Sequence, residues 1–124
     1  MEIFLDTASV KEIREILRWG VISGVTTNQK IFLAEKGCNF RERVQEILSL
    51  VDGPLSVELT KTDATDDEMI AEAVEYSSWN PKNVTIKVPM FGNGRGLGII
   101  SQLGKRNVKT NATALISVNQ VMLA

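Results

Sequence analysis

Val84-Thr85-Ile86-Lys87-Val88-Pro89 places one lysine among β-branched residues and reads as a buried β-strand. Pro89 is expected to end the pairing, because it has no N–H to donate. Lys87 shares a face with Thr85, while Val84, Ile86 and Val88 occupy the opposite face. An ammonium among such neighbours is costly to bury, so desolvation is expected to lower its pKa and favour the free amine, the form that makes a Schiff base. A single strand-end lysine more often sends its head to solvent. The rest of the chain supplies the company that makes the nucleophilic reading the stronger one.

Outward from this strand, short apolar runs alternate with helical stretches. Upstream, Ile3 to Leu5 reads as a strand ending at Asp6-Thr7, and Ser9 caps a helix with apolar positions Val10, Ile13, Ile16 and Leu17. Gly20 closes that helix, and Val21 to Thr27 reads as a second strand. Asn39 caps a helix carrying Phe40, Val44, Ile47 and Leu48, and Asp52-Gly53-Pro54 turns the chain into a third strand, Leu55 to Leu59. Thr65 or Asp66 starts a helix through Met69, Ala73 and Tyr76 that Trp79-Asn80-Pro81 terminates. Downstream come the glycine-rich run Phe91 to Gly98, a short helix near Ile99 to Leu103, a fifth strand around Lys109 to Leu115 and a helix from Ser117. This rhythm calls for βαβ units and a parallel sheet, hence the α/β class.

Periodicity does not choose between a doubly wound sheet and a barrel, but side-chain parity adds information. Asp6 lies with Phe4, Thr26 with Asn28, Glu58 with Ser56, and Asn111 with Thr113. Seven polar side chains thus gather near the C-terminal ends of five parallel strands: Asp6, Thr26, Asn28, Glu58, Lys87, Asn111 and Thr113. Catalytic residues drawn from the ends of several strands are the habit of a (β/α)8 barrel.

Composition narrows the chemistry. The 124 residues are 44% hydrophobic and 23% charged, as in an ordinary soluble domain, and 14 basic against 15 acidic side chains leave no nucleic-acid surface or basic membrane patch. No apolar run approaches the roughly 20 residues that span a bilayer. The single Cys38 has no internal disulfide partner, and the first six residues lack the pattern of a signal peptide, so a cytoplasmic protein is expected. There is no histidine, which excludes Ser/His/Asp and Cys/His systems within this chain and leaves no imidazole for zinc. Acid–base chemistry falls to carboxylates, lysine, tyrosine or water.

The stretches Ile3-Phe4-Leu5-Asp6-Thr7-Ala8, Gly24-Val25-Thr26-Thr27-Asn28, Ser56-Val57-Glu58, Ile86-Lys87-Val88-Pro89 and Lys109-Thr110-Asn111-Ala112-Thr113 together resemble the small transaldolase family, in order and along the whole chain. The resemblance implies a class I, Schiff-base transaldolase of the pentose phosphate pathway, moving a dihydroxyacetone unit between sugar phosphates with neither metal nor cofactor. It implies that Lys87 attacks the ketose carbonyl and that Asp6 is the acid–base group of carbon–carbon cleavage. Glu58 and Thr113 would position the water that relays protons, Thr26 would support Asp6, and Asn28 and Asn111 would bind the hydroxyls of the dihydroxyacetone unit. The aldolase branch, typified by fructose-6-phosphate aldolase, usually carries an amide in place of Glu58 and lacks the Asn-X-Thr pair. Transfer is therefore favoured over simple cleavage, with the aldolase-type lyase as the alternative.

Three features depart from the family pattern. Gln29 stands where proline usually follows the TTN motif, which is expected to loosen the loop. The run Phe91 to Gly98 is long and glycine-rich, yet it lacks the third glycine of a dinucleotide fingerprint and follows the wrong strand. Finally, five strands fall short of the eight that close a barrel of about 250 residues, and the arginines that grip a substrate phosphate have no counterpart, Arg95 included. Residues 1–124 are thus expected to form the N-terminal part of one barrel domain, interrupted in the helix after the fifth strand. Its uncovered edges favour a homo-oligomer, or a non-catalytic half-barrel that needs another chain.

Overall fold

The computed structural model describes residues 1–124 except Lys36, Cys38 and Thr62. The expectation that Cys38 has no disulfide role therefore falls outside the described residues. In chain order the elements are β1 (Phe4–Asp6), α1 (Val10–Leu17), β2 (Gly24–Thr26), α2 (Gln29–Ala34), α3 (Phe40–Leu50), β3 (Leu55–Glu58), α4 (Asp66–Trp79), β4 (Val84–Pro89), α5 (Arg95–Lys105), β5 (Thr110–Thr113) and α6 (Val118–Leu123). The strands form one five-stranded parallel sheet in the order β1-β2-β3-β4-β5.

That order decides between the two α/β architectures. A doubly wound sheet reverses its strand order at a switch point, whereas right-handed crossovers between consecutive neighbours leave every helix on one face. The second arrangement is the wall of a (β/α)8 barrel, here an arc of five strands. Parity follows the sequence reading: Val84, Ile86 and Val88 are buried under the helices, and Thr85, Lys87 and Pro89 on the inner face are half-buried. Val25, Leu55, Val57 and Leu59 join the helix-covered core, where Ile13 of α1, Val44 and Ile47 of α3, Met69 and Ala73 of α4, and Ile99 and Leu103 of α5 meet them. Each of these apolar side chains except Ala73 adds about 1.5–3 kcal/mol of burial.

The helices begin where their caps predict. Ser9 accepts from Glu12 N at 3.4 Å and Asn39 from Glu42 N at 3.2 Å. Thr65 and Glu68 form a reciprocal capping box at the start of α4. The Thr65 backbone N–H, and then its hydroxyl, hold the Glu68 carboxyl below its ordinary range.

Four expectations are corrected. Pro89 does not end the sheet: it pairs in register with Thr113, and the next donor, Met90 N, reaches Thr113 O at 2.9 Å. Strand β2 is confined to Gly24–Thr26, with Val21 exposed before it. Strand β5 stops at Thr113, because Ala114 takes a left-handed backbone with φ 56°. The second half of the glycine-rich run, from Arg95, is helix. Gly94, left-handed at φ 76°, opens α5, and Gly96 lies so close to β4 that a Cβ would stand 2.3 Å from the Pro89 carbonyl oxygen. Gly96 serves helix–strand packing, and Gly94 the left-handed turn into the helix.

Candidate active site

Parallel register sets the polar side chains of the inner face in rows. Asp6 aligns with Thr26, Thr26 with Ser56, and Ser56 with Thr85. One step further toward the C-terminal ends, Glu58 aligns with Lys87 and Lys87 with Asn111, followed by Pro89 with Thr113. All of the residues singled out from sequence, except Asn28, therefore stand on one wall, at the ends of β1 to β5. Asn28 follows β2 and caps α2, its Oδ1 accepting from Ile31 N at 2.9 Å. Its amide nitrogen has no hydrogen-bond partner among the described residues. Helix α2 is six residues long, too short for a helical period to mark it in the sequence, and it gives Asn28 a capping role beside the expected substrate-binding one.

The local bonds are specific. Thr26 Oγ1 donates to Asp6 Oδ1 at 2.8 Å, tying the carboxylate of β1 to the neighbouring strand. Asn111 Nδ2 donates to Ser56 Oγ at 3.1 Å, spanning β3 and β5 across the strand that carries Lys87. Ser56 is buried, and sequence reading passed over it; its position on the Glu58 face was the available signal. Lys87 Nζ makes one long bond, to the Thr27 carbonyl at 3.4 Å, and no ion pair with any described carboxylate. A half-buried amine so lightly held is free to move toward an electrophile. Below this layer the wall is concave, with a cavity of about 470 Å³ lined by Phe4, Thr26, Ser56, Thr85 and Asn111 among others.

Gln29 does not loosen its loop. Its backbone N–H donates to Glu58 Oε2 at 3.3 Å and its side-chain amide to the Leu59 carbonyl at 2.6 Å, which joins the β2–α2 turn to the end of β3. The loop after β3 is anchored from the other side. Buried Glu72 of α4 accepts from Thr60 N and Lys61 N, each at 3.2 Å, from the Thr60 hydroxyl, and from Tyr76 OH at 2.7 Å. Burial pushes the Tyr76 phenol up to about 12; the Thr60 hydroxyl opposes that rise and the Glu72 carboxylate adds to it. Because the folded phenol holds its proton above the ordinary value of 10.0, its contribution to stability is complete below that pH and is lost between pH 10.0 and about 12. Chemical unfolding on both sides of this window should show stability falling with pH in the wild type. The fall should be smaller in Tyr76→Phe.

Arg95 is fully engaged elsewhere. It pairs with Asp66, donates to the Ala64 carbonyl, and stacks 5.5 Å from the Phe91 ring centroid, clasping the β3–α4 and β4–α5 loops together. Every arginine of the chain lies in a helix or at its C-cap, away from the inner wall. Among the described residues no group of three or more His, Cys, Asp or Glu side chains could hold a metal ion, and no helix is long and apolar enough to cross a membrane.

A sequence profile described as Transaldolase/Fructose-6-phosphate aldolase matches residues 3–124. The chain belongs to this family. The transaldolase/fructose-6-phosphate aldolase assignment has close support from curated relatives. The chain is 45% identical over 124 residues to a probable transaldolase of Roseiflexus sp. (strain RS-1), 47% to one of Moorella thermoacetica and 50% to one of Desulforudis audaxviator. In each case all of this chain aligns with 55% of the relative, so it spans about half the length of the family members it matches.

Proposed function

We propose that these residues form the catalytic wall of a class I transaldolase that transfers a dihydroxyacetone unit between sugar phosphates. The observation that carries this reading is Lys87, lightly held and flanked in register by Glu58 and Asn111, with the Thr26–Asp6 pair on the same wall. Lys87, as the neutral amine, adds to the ketose carbonyl, and loss of water gives an iminium. The iminium accepts electrons as the carbon–carbon bond breaks, while Asp6 takes the proton from the hydroxyl that becomes the departing aldehyde. The enamine left on Lys87 then attacks an acceptor aldehyde, and hydrolysis releases the new ketose. Glu58 and Thr113 hold the water that moves protons in imine formation and hydrolysis, and the Asn28 and Asn111 amides hold the hydroxyls of the transferred unit. Thr26 orients Asp6.

We propose further that residues 1–124 are the N-terminal part of one barrel domain in a cytoplasmic protein. The open β1 and β5 edges, and an α6 with no buried side chain, are then covered by further chain or by another subunit of a homo-oligomer. The phosphate of the substrate is gripped by residues outside this wall.

Transfer and cleavage are separated by supplying fructose 6-phosphate to the product of the complete reading frame, with and without an aldehyde acceptor. The carboxylate Glu58 and the Asn111-Ala112-Thr113 pair predict that product forms rapidly with the acceptor and at least about 10²-fold more slowly without it. Ready release of free dihydroxyacetone in the absence of acceptor would assign the protein to the aldolase branch instead.

A further inference from the structure

Gln29 links the β2–α2 turn to the end of β3. Gln29 N donates to Glu58 Oε2 at 3.3 Å, and this is the only hydrogen bond to the Glu58 side chain among the described residues. On the same residue, Nε2 donates to the carbonyl of Leu59, the residue that follows Glu58, at 2.6 Å. We propose that Gln29 is the positioning residue of Glu58. Its backbone N–H holds one carboxylate oxygen, which leaves Oε1 for water or substrate. Its side-chain amide holds the carbonyl of the next residue, Leu59, and so anchors the chain just beyond Glu58 when Lys87 moves.

The proposal rests on the functional reading above for what Glu58 does, and on the hydrogen bonds for how it is held. Proline at this position has neither donor. The backbone would nevertheless accept it. Asn28, at φ −152° and ψ 171°, is already in the extended conformation that a residue preceding proline adopts, and Gln29 is the first residue of α2, where a missing N–H costs the helix nothing. Gln29→Pro therefore removes both donors with the turn intact, whereas Gln29→Ala removes the side chain and keeps the N–H.

Two measurements on the product of the complete reading frame test this. In amide-resolved NMR spectra, the Gln29 N–H resonance should move as the Glu58 carboxylate is protonated, and that movement should disappear in Glu58→Gln. A Gln29 amide that ignores the titration, or that titrates equally in Glu58→Gln, overturns the proposal. In kinetics, Gln29→Ala, which loses one of the two donors, should lower kcat about threefold, and Gln29→Pro, which loses both, about tenfold, with KM for the ketose phosphate nearly unchanged. The loss should appear in the rate of imine formation trapped by borohydride. Equal kcat in the two variants also overturns it. A wild-type protein that traps no ketose would instead defeat the functional reading, and the amide titration would still decide how Glu58 is held.

Discussion

Lys87→Met is expected to lower turnover by about 10⁴-fold or more, the scale on which enzymes lose rate when a covalent nucleophile is removed. Methionine matches the length and much of the volume of the lysine stem, and the only hydrogen bond surrendered among the described residues is the long one to Thr27 O at 3.4 Å. Stability should therefore change by about 1 kcal/mol or less, so a melting transition close to that of the wild type would accompany the lost activity. Lys87→Arg should be equally inactive, since a guanidinium keeps the charge and forms no imine. Catalysis that survives either change would move the nucleophile elsewhere. The other described lysines offer poor substitutes: Lys11, Lys30, Lys61, Lys82 and Lys105 are exposed in helices or loops, and exposed Lys109 bonds the Lys82 carbonyl at the far end of the sheet.

Asp6→Asn separates the covalent step from the acid–base step. The variant keeps an acceptor for the Thr26 hydroxyl, so the strand pairing at the end of β1 should persist. Carbon–carbon cleavage should fall by about 10² to 10⁴-fold, the usual range for removing a general acid–base group. Imine formation at Lys87 should continue, and borohydride should still label that residue at close to the wild-type level. A parallel loss of labelling and turnover would mean that Asp6 acts on binding or on the lysine itself.

Much of this site was readable because strands obey a period of two. The alternation at Val84 to Val88 gave both the buried and the polar face of β4, and the same parity set Asp6, Thr26, Glu58, Asn111 and Thr113 on one wall. Strand order was not readable, since no single-sequence pattern says which parallel strands are neighbours, and the choice of barrel over doubly wound sheet rested on the polar residues at the strand ends and on the resemblance. Short-range geometry hid the rest. Asn28 suits a ligand and a helix cap equally, and six residues of α2 are too few for a helical period to stand out. The glycines from Gly94 to Gly98 look like a loop, but the left-handed backbone requires Gly94 and close packing on the Pro89 carbonyl requires Gly96. Gln29 was visible as an oddity, and its reach to Glu58 and Leu59 depends on a tertiary approach between β2 and β3.

The central claim is that Lys87 forms the covalent bond to substrate. Borohydride reduction of the complete reading-frame product in the presence of a ketose phosphate, followed by peptide mapping, examines it directly. The account predicts one labelled peptide, with the modification on Lys87 and none in Lys87→Met. Label on another lysine, or a wild-type protein that stays unlabelled while it turns over substrate, would contradict it.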